Sequence, residues 1–208
     1  MNMFSTELAK TITSKESSFM DAGIHDNIAL VSYRLEKSPN GIDFIEFTYQ
    51  NDLGQQLKQT EYAPSKFANQ TDDEFKVSVA KKLKKIMDIV ECFYTKGTQN
   101  FDAATYYDFC NWVVGLLDKA DKTIKLRVKA VYQPNGYVSV PKQAQYTYIE
   151  RMDVEKTAIA KLSIDLFERP IVADKEETKA NGLETFTSGN TTIVNGNITI
   201  ESDTSMPF

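Results

Sequence analysis

Residues 28–64 read IALVSYRLEKSPNGIDFIEFTYQNDLGQQLKQTEYAP, and the turn residues inside this stretch set the architecture. IALVSYRLE (28–36) is rich in β-formers, and IDFIEFTYQ (42–50) alternates, with Ile45, Phe47 and Tyr49 on one side and Phe44, Glu46 and Thr48 on the other. Between them, Ser38-Pro39-Asn40-Gly41 has proline where a type I turn wants a preset φ and glycine where a positive φ follows, which predicts a hairpin. NDLGQQ (51–56) turns the chain again, and LKQTEYAP (57–64) supplies a third strand that stops at Pro64. Three strands in a meander result.

Downstream, Thr71-Asp72-Asp73-Glu74 is a capping box. Phe75, Val79, Leu83, Ile86, Val90 and Phe93 follow at spacings of three and four, predicting one buried helix face with KKLKK (81–85) on the solvated side. A second, more apolar helix is expected over about residues 102–118, with Trp112 in the core. TIKLRVKAVY (123–132) then alternates strictly, so Ile124, Leu126, Val128 and Ala130 point one way and Lys125, Arg127 and Lys129 the other. Gln133-Pro134-Asn135-Gly136 nearly repeats the first turn and leads into YVSVP, a second hairpin.

A three-strand meander, a helical connection and a second hairpin follow one another in the order of an OB-fold. The expected class is α+β, mostly β: an OB-fold-like five-stranded barrel with a two-helix insertion between strands 3 and 4 and a flexible acidic C-terminal tail. An α+β sandwich of a three-stranded and a two-stranded sheet is the alternative. Residues 1–22 read as an N-terminal arm, 23–172 as the barrel domain and 173–208 as an acidic linker and interaction tail. VEKTAIAKLSIDLF (154–167) reads equally as a short helix or an extended wrap. In the tail, TTIVNGNITI (191–200) carries an Asn-Gly hairpin signal.

Composition narrows the function. The chain has 208 residues, 41% of them hydrophobic, and its net charge is -5. From Ala173 onward, Asp174, Glu176, Glu177, Glu184, Glu201 and Asp203 stand against Lys175 and Lys179, so the tail carries -4 of that charge and residues 1–172 only -1. A near-neutral body accommodates a basic face. No apolar run is long enough to span a membrane and the N-terminal stretch has no signal-peptide pattern, so a cytosolic protein is expected. Cys92 and Cys110 sit among apolar residues and read as reduced, packed thiols. One histidine, His25, together with the absence of CxxC, HExxH, GxGxxG and GxxxxGK[ST] patterns, removes the motif support for zinc, nucleophile-histidine and phosphate-loop enzymes. Asp43, Glu46 and Glu61 match no spacing for a nuclease metal site. A non-enzymatic protein without cofactor or metal is expected.

GIHDNIALVSYRLEKSPNGIDFIEFTYQNDLGQQLKQTEYAP and IKLRVKAVYQPNGYVSVPK resemble single-stranded DNA-binding proteins of tailed bacteriophages, including the crAss-like group, over roughly residues 20–170. The ending ESDTSMPF is similar to the acidic tip of bacterial single-stranded DNA-binding proteins, with Met206 in place of an aliphatic residue before Pro207 and Phe208. The resemblance implies sequence-independent binding and protection of single-stranded DNA during phage replication or recombination, in the cytoplasm of the infected bacterial host. It further implies partner proteins recruited through Glu201, Asp203, Met206, Pro207 and Phe208, and multimeric action. An OB-like protein-interaction or virion-associated module without DNA binding is the rival expectation.

Coating a single strand needs cations that follow phosphates and flat rings on which bases stack. Lys125, Arg127 and Lys129, two residues apart on one strand, offer such a cation row, widened by Arg34, Lys37, Lys58, Lys122 and Lys142. The ring candidates are Phe44, Tyr62, Tyr132 and Tyr137, with Tyr33 and the in-phase, core-directed Tyr49 behind them.

Overall fold

The computed structural model describes residues 18–170 and, beyond them, the backbone of three short strands. The chain divides into two units, Met1–Val172 and Ala173–Phe208. The first contains β1 (Gly23–Lys37), β2 (Asp43–Gln50), β3 (Gln56–Tyr62), α1 (Asp72–Val90), α2 (Tyr106–Lys119), β4 (Leu126–Tyr132), β5 (Val138–Ser139) and β6 (Ile149–Arg151). In the second, β7 (Phe186–Ser188), β8 (Thr191–Val194) and β9 (Asn197–Ile200) pair antiparallel, with Val194 opposite Asn197 as the Asn-Gly signal predicts. The rest of the expected flexible tail lies outside the described residues.

The meander forms as read. Gly41 takes φ +75° and donates its N–H to the Ser38 carbonyl at 2.8 Å, while Gly54 takes φ +79° and donates to Asn51. The Asn51 side chain accepts from the N–H groups of Leu53 and Gln55, which locks the second turn. Gly136, at φ +78°, closes the QPNG turn in the same way on Gln133.

The strands form one antiparallel sheet in the order β3-β2-β1-β4-β5, with β6 also on β4. This excludes the two-sheet sandwich, because β1 joins the meander to the second hairpin. Residues 29–37 of β1 pair with β2, whereas residues 23–28 pair with β4. The strand therefore starts five residues before the expected Ile28. Its register slips between His25 and Ile28, where Asn27 adopts φ 59°, and again between Leu30 and Ser32, leaving Val31 as the extra, exposed residue. Both irregularities bend the ribbon. β3 and β5 meet at the far side without a ladder between them, and the sheet becomes a nearly closed, mostly β barrel with two helices, compatible with an OB-like barrel. β6 is a sixth strand beyond the five expected.

The helices close one part of the barrel, α2 against β1 and β2 and α1 against β6. Ile86, Ile89 and Val90 of α1 and Phe109, Cys110, Val113 and Leu117 of α2 share one core with Ile45, Phe47, Tyr49, Leu126 and Val128. The Thr71–Glu74 capping box is present, and Thr105 caps α2, which begins four residues later than expected. Cys92 and Cys110 are buried free thiols, Cys92 lying just past the end of α1, and burial pushes their pKa values up to about 12 and about 11. No helix among the described residues is long and apolar enough to cross a membrane.

Two lysines depart from the sequence expectation. Lys85, the last of KKLKK, is buried and pairs with buried Glu61 at 2.6 Å. Lys129 does not face outward: it is 0% exposed, with its ammonium 2.8 Å from both the Asp165 carboxylate and the Ala160 carbonyl. Residues 157–166 cross over β4 as an irregular wrap with a turn at residues 163–164, not a helix, and cover the side on which the alternation places Lys129 toward solvent.

Two stability outcomes follow. At exposed Asn27, a left-handed residue with no packing to lose, Asn27→Gly should unfold in urea at or slightly above the native midpoint, and Asn27→Val should lose about 1–2 kcal/mol. Equal effects of the two would mean that the backbone conformation is not the constraint. Lys129→Ala strands Asp165 and should cost about 3–5 kcal/mol, while the Lys129→Met, Asp165→Leu double variant should recover much of it. A double variant no better than the single one would show that the wrap needs the ion pair itself.

Candidate nucleic-acid interface

The outer face of the meander is a three-by-three array set by register: Ser32, Arg34 and Glu36 on β1, opposite Thr48, Glu46 and Phe44 on β2, in turn opposite Lys58, Thr60 and Tyr62 on β3. At one corner the rings of Phe44 and Tyr62 lie 5.3 Å apart, tilted by 45°, with Tyr62 47% exposed. At the centre Glu46 takes ion pairs from Arg34 at 3.0 Å and Lys58 at 3.4 Å. Arg34 also reaches Glu36, and Lys37 pairs with Asp43 at 2.7 Å. Tyr49 is fully buried, as its phase predicts.

The expected cation row on β4 is not a row of available cations. Lys125 pairs with Asp52 at 3.3 Å, and Arg127 with Asp26 at 2.6 Å and Glu150 at 3.1 Å, while Lys129 is internal. Lys122 is also engaged. Its ammonium donates to the Tyr33 hydroxyl at 2.8 Å and to the Leu117 carbonyl, and lies 4.4 Å from the centre of the Tyr33 ring. Burial, and then Asp118 accepting from it at 2.6 Å, raises Tyr33 to about 12. Lys142 is exposed and has no ion pair among the described residues. Asp43, Glu46 and Glu61, the carboxylates weighed as metal ligands, each hold a lysine or arginine instead. The tip residues Glu201, Asp203, Met206, Pro207 and Phe208 lie outside the described residues.

A cleft of about 680 Å³ occupies the seam where β3 and β5 meet without pairing. Gln56, Leu57 and Lys58 of β3 line one side, and Tyr132, Tyr137 and Val138 the other. The segment before β1 enters it, since Met20 donates its N–H to Gln56 and Gln56 donates to Ser18, and it brings Phe19, Asp21 and, from β1, His25. Arg169 completes the wall. Of the expected site residues, the seam thus unites Lys58, Tyr132 and Tyr137, and adds Phe19, His25 and Arg169, which no local pattern marks.

Tyr137 is 74% exposed on the QPNG turn, whereas Tyr132 is held at two points. Its N–H donates to Leu166 at 2.8 Å and its hydroxyl donates to Asp21. That hydroxyl is the main reason the Asp21 carboxyl lies below the ordinary range, with the Ala22 N–H, Arg169 and His25 acting in the same sense and partial burial opposing them. Compared with known proteins, the chain matches no family model and no curated protein sequence.

The Asp21 arrangement has a pH consequence. Because its folded pKa is depressed, Asp21 contributes stability above the unfolded value of about 3.9, and this contribution is lost as the pH falls through the folded pKa. Tyr132→Phe should raise the Asp21 pKa toward the ordinary value and flatten the acid side of the stability curve, as followed by carboxyl carbon shifts. An unchanged Asp21 titration would place the cause elsewhere.

Proposed function

We propose that this chain binds single-stranded DNA without sequence preference and without catalysis, on an OB-fold-like barrel whose five-stranded frame carries the extra strand β6. The setting is the one the resemblance implies, phage DNA replication or recombination in the cytoplasm of an infected bacterium. The tip residues Glu201 to Phe208 would recruit partner proteins, and the barrels would act on DNA as units of a homo-oligomer.

The observation that carries this reading is the continuity of rings and cations from the outer face into the seam. Phe44 and Tyr62 stand at one corner, Lys58 lies four residues back along β3, about 13 Å away, and Lys58 also lines the cleft that holds Tyr132 and Tyr137. A strand laid along β3 would meet stacking surfaces at both ends and a cation between them. The engaged cations support the second reading, a protein-interaction or virion-associated module on the same barrel, since they leave less free positive charge than a phosphate track offers.

Titrating a fluorescent oligo-dT with the full chain separates the two. Binding should weaken steeply with salt and change little with base composition. Phe44→Ala and Tyr62→Ala should each cost about 1–3 kcal/mol. No binding at low salt would discard the DNA reading in favour of the interaction module.

A further inference from the structure

We infer that the barrel seam is an anchor pocket for one unstacked nucleotide of the bound strand, the base resting against Tyr132 and Tyr137 and its phosphate held by Arg169. The inference rests on the single-strand reading and deepens it to a place and a set of contacts.

Size and chemistry agree. About 680 Å³ lies within the usual range for small-ligand sites, roughly 300–1,000 Å³. The pocket combines rings with the cations Lys58 and Arg169, against one carboxylate among its described lining residues, Asp21, which already accepts from the Tyr132 hydroxyl and the Ala22 N–H. Tyr132 is fixed through its hydroxyl and its backbone, so little ordering is left for binding to cost. Tyr137 is a bare ring on a turn set by Gly136 at φ +78° and by the Asn135 side chain, which accepts the Tyr137 N–H.

Arg34, Lys37, Lys58, Lys125, Arg127 and Lys129 all hold carboxylates, whereas Arg169, like Lys142, is exposed and has no ion pair among the described residues, and of these two it is Arg169 that lines the seam. It also borders a second, smaller cavity of about 370 Å³ shared with Asn135, Gly136, Tyr137 and Pro170. Tyr137 and Arg169 therefore stand where the two cavities adjoin, a ring-lined space on one side and a polar niche on the other. A base fits the first and its phosphate the second, with the planar guanidinium able to present two parallel donors to phosphate oxygens. Because Lys58 belongs to both the outer face and the pocket, the ligand is a nucleotide within a strand lying on that face.

The test uses the full chain and a dT oligonucleotide containing 5-iododeoxyuridine, irradiated to cross-link and mapped by peptide, alongside titrations of Tyr137→Ala and Arg169→Gln. Both side chains are exposed, so both variants should fold. Cross-links should fall on the peptide containing Tyr137. Tyr137→Ala should weaken binding about 5- to 150-fold, and Arg169→Gln should reduce the salt slope by about 0.7. If both variants bind as tightly as the native chain and cross-links map only to Phe44 and Tyr62, the pocket is overturned while DNA binding stands. If the native chain fails to bind at low salt, the single-strand reading falls and takes the pocket with it.

Discussion

One strand has to serve two neighbours. β1 gives its second half to β2 and its first half to β4, and a flat ribbon cannot do both. The left-handed Asn27 and the extra residue Val31 absorb the bend. With β4 laid beside the start of β1, the second hairpin swings round to the outer edge of the meander. β3 and β5 then face each other across a gap that backbone hydrogen bonds do not fill. The seam is thus a geometric consequence of where β1 changes partner.

Charge is distributed in two regimes. Inside, Lys85 and Glu61 join a chain in which the Tyr49 hydroxyl donates to Gln59, Gln59 donates to Glu61 and to the Tyr148 hydroxyl, and Tyr148 donates to the Lys85 carbonyl. Lys129 and Asp165 form a second internal pair, and among the described residues no buried side-chain nitrogen or oxygen lacks a partner. Breaking either pair costs several kcal/mol, so these lysines are fixed parts of the fold. Outside, exposed pairs such as Arg34–Glu36 and Lys125–Asp52 are worth about 0–1 kcal/mol. Those cations can trade a carboxylate for a phosphate at little cost, and Lys129 cannot. With residues 1–172 near neutrality, the proposed binding of a single strand would draw more of its affinity from stacking rings than from long-range attraction.

What the sequence made legible was local. The SPNG, NDLG and QPNG turns, the Thr71 capping box and the alternation that buries Ile45, Phe47 and Tyr49 each depend on residues a few positions apart, and each forms as read. Alternation along β4 correctly separated the two faces of the strand. It does not carry the information that residues 157–166 cover the second face, and so by itself it points Lys129 to solvent. KKLKK misled in the same way, since Lys85 is placed by the barrel that α1 packs on and not by the helix. The pairing of β6 with β4, and the arrival of Phe19, His25 and Arg169 in one cleft, depend on contacts between segments far apart in sequence, for which no short pattern exists.

The wrap ties the buried Lys129 to the seam. Its Ala160 carbonyl and Asp165 carboxylate take the Lys129 ammonium, and its Leu166 carbonyl takes the Tyr132 N–H three residues further along β4. Three residues later the same segment delivers Arg169 to the seam beside Tyr132. A cation withdrawn from the surface at Lys129 therefore anchors the segment that presents another at Arg169. Burying a lysine is a costly way to hold a loop unless the loop's position matters, because an apolar residue in the same place would usually pack as well or better. Lys129 requires a carboxylate at one point of the wrap, and this fixes the register of the wrap on β4 more tightly than apolar contact would. The distance from Asp165 to Arg169 is then set by the chain, and with it the position of the guanidinium against the rings of the seam.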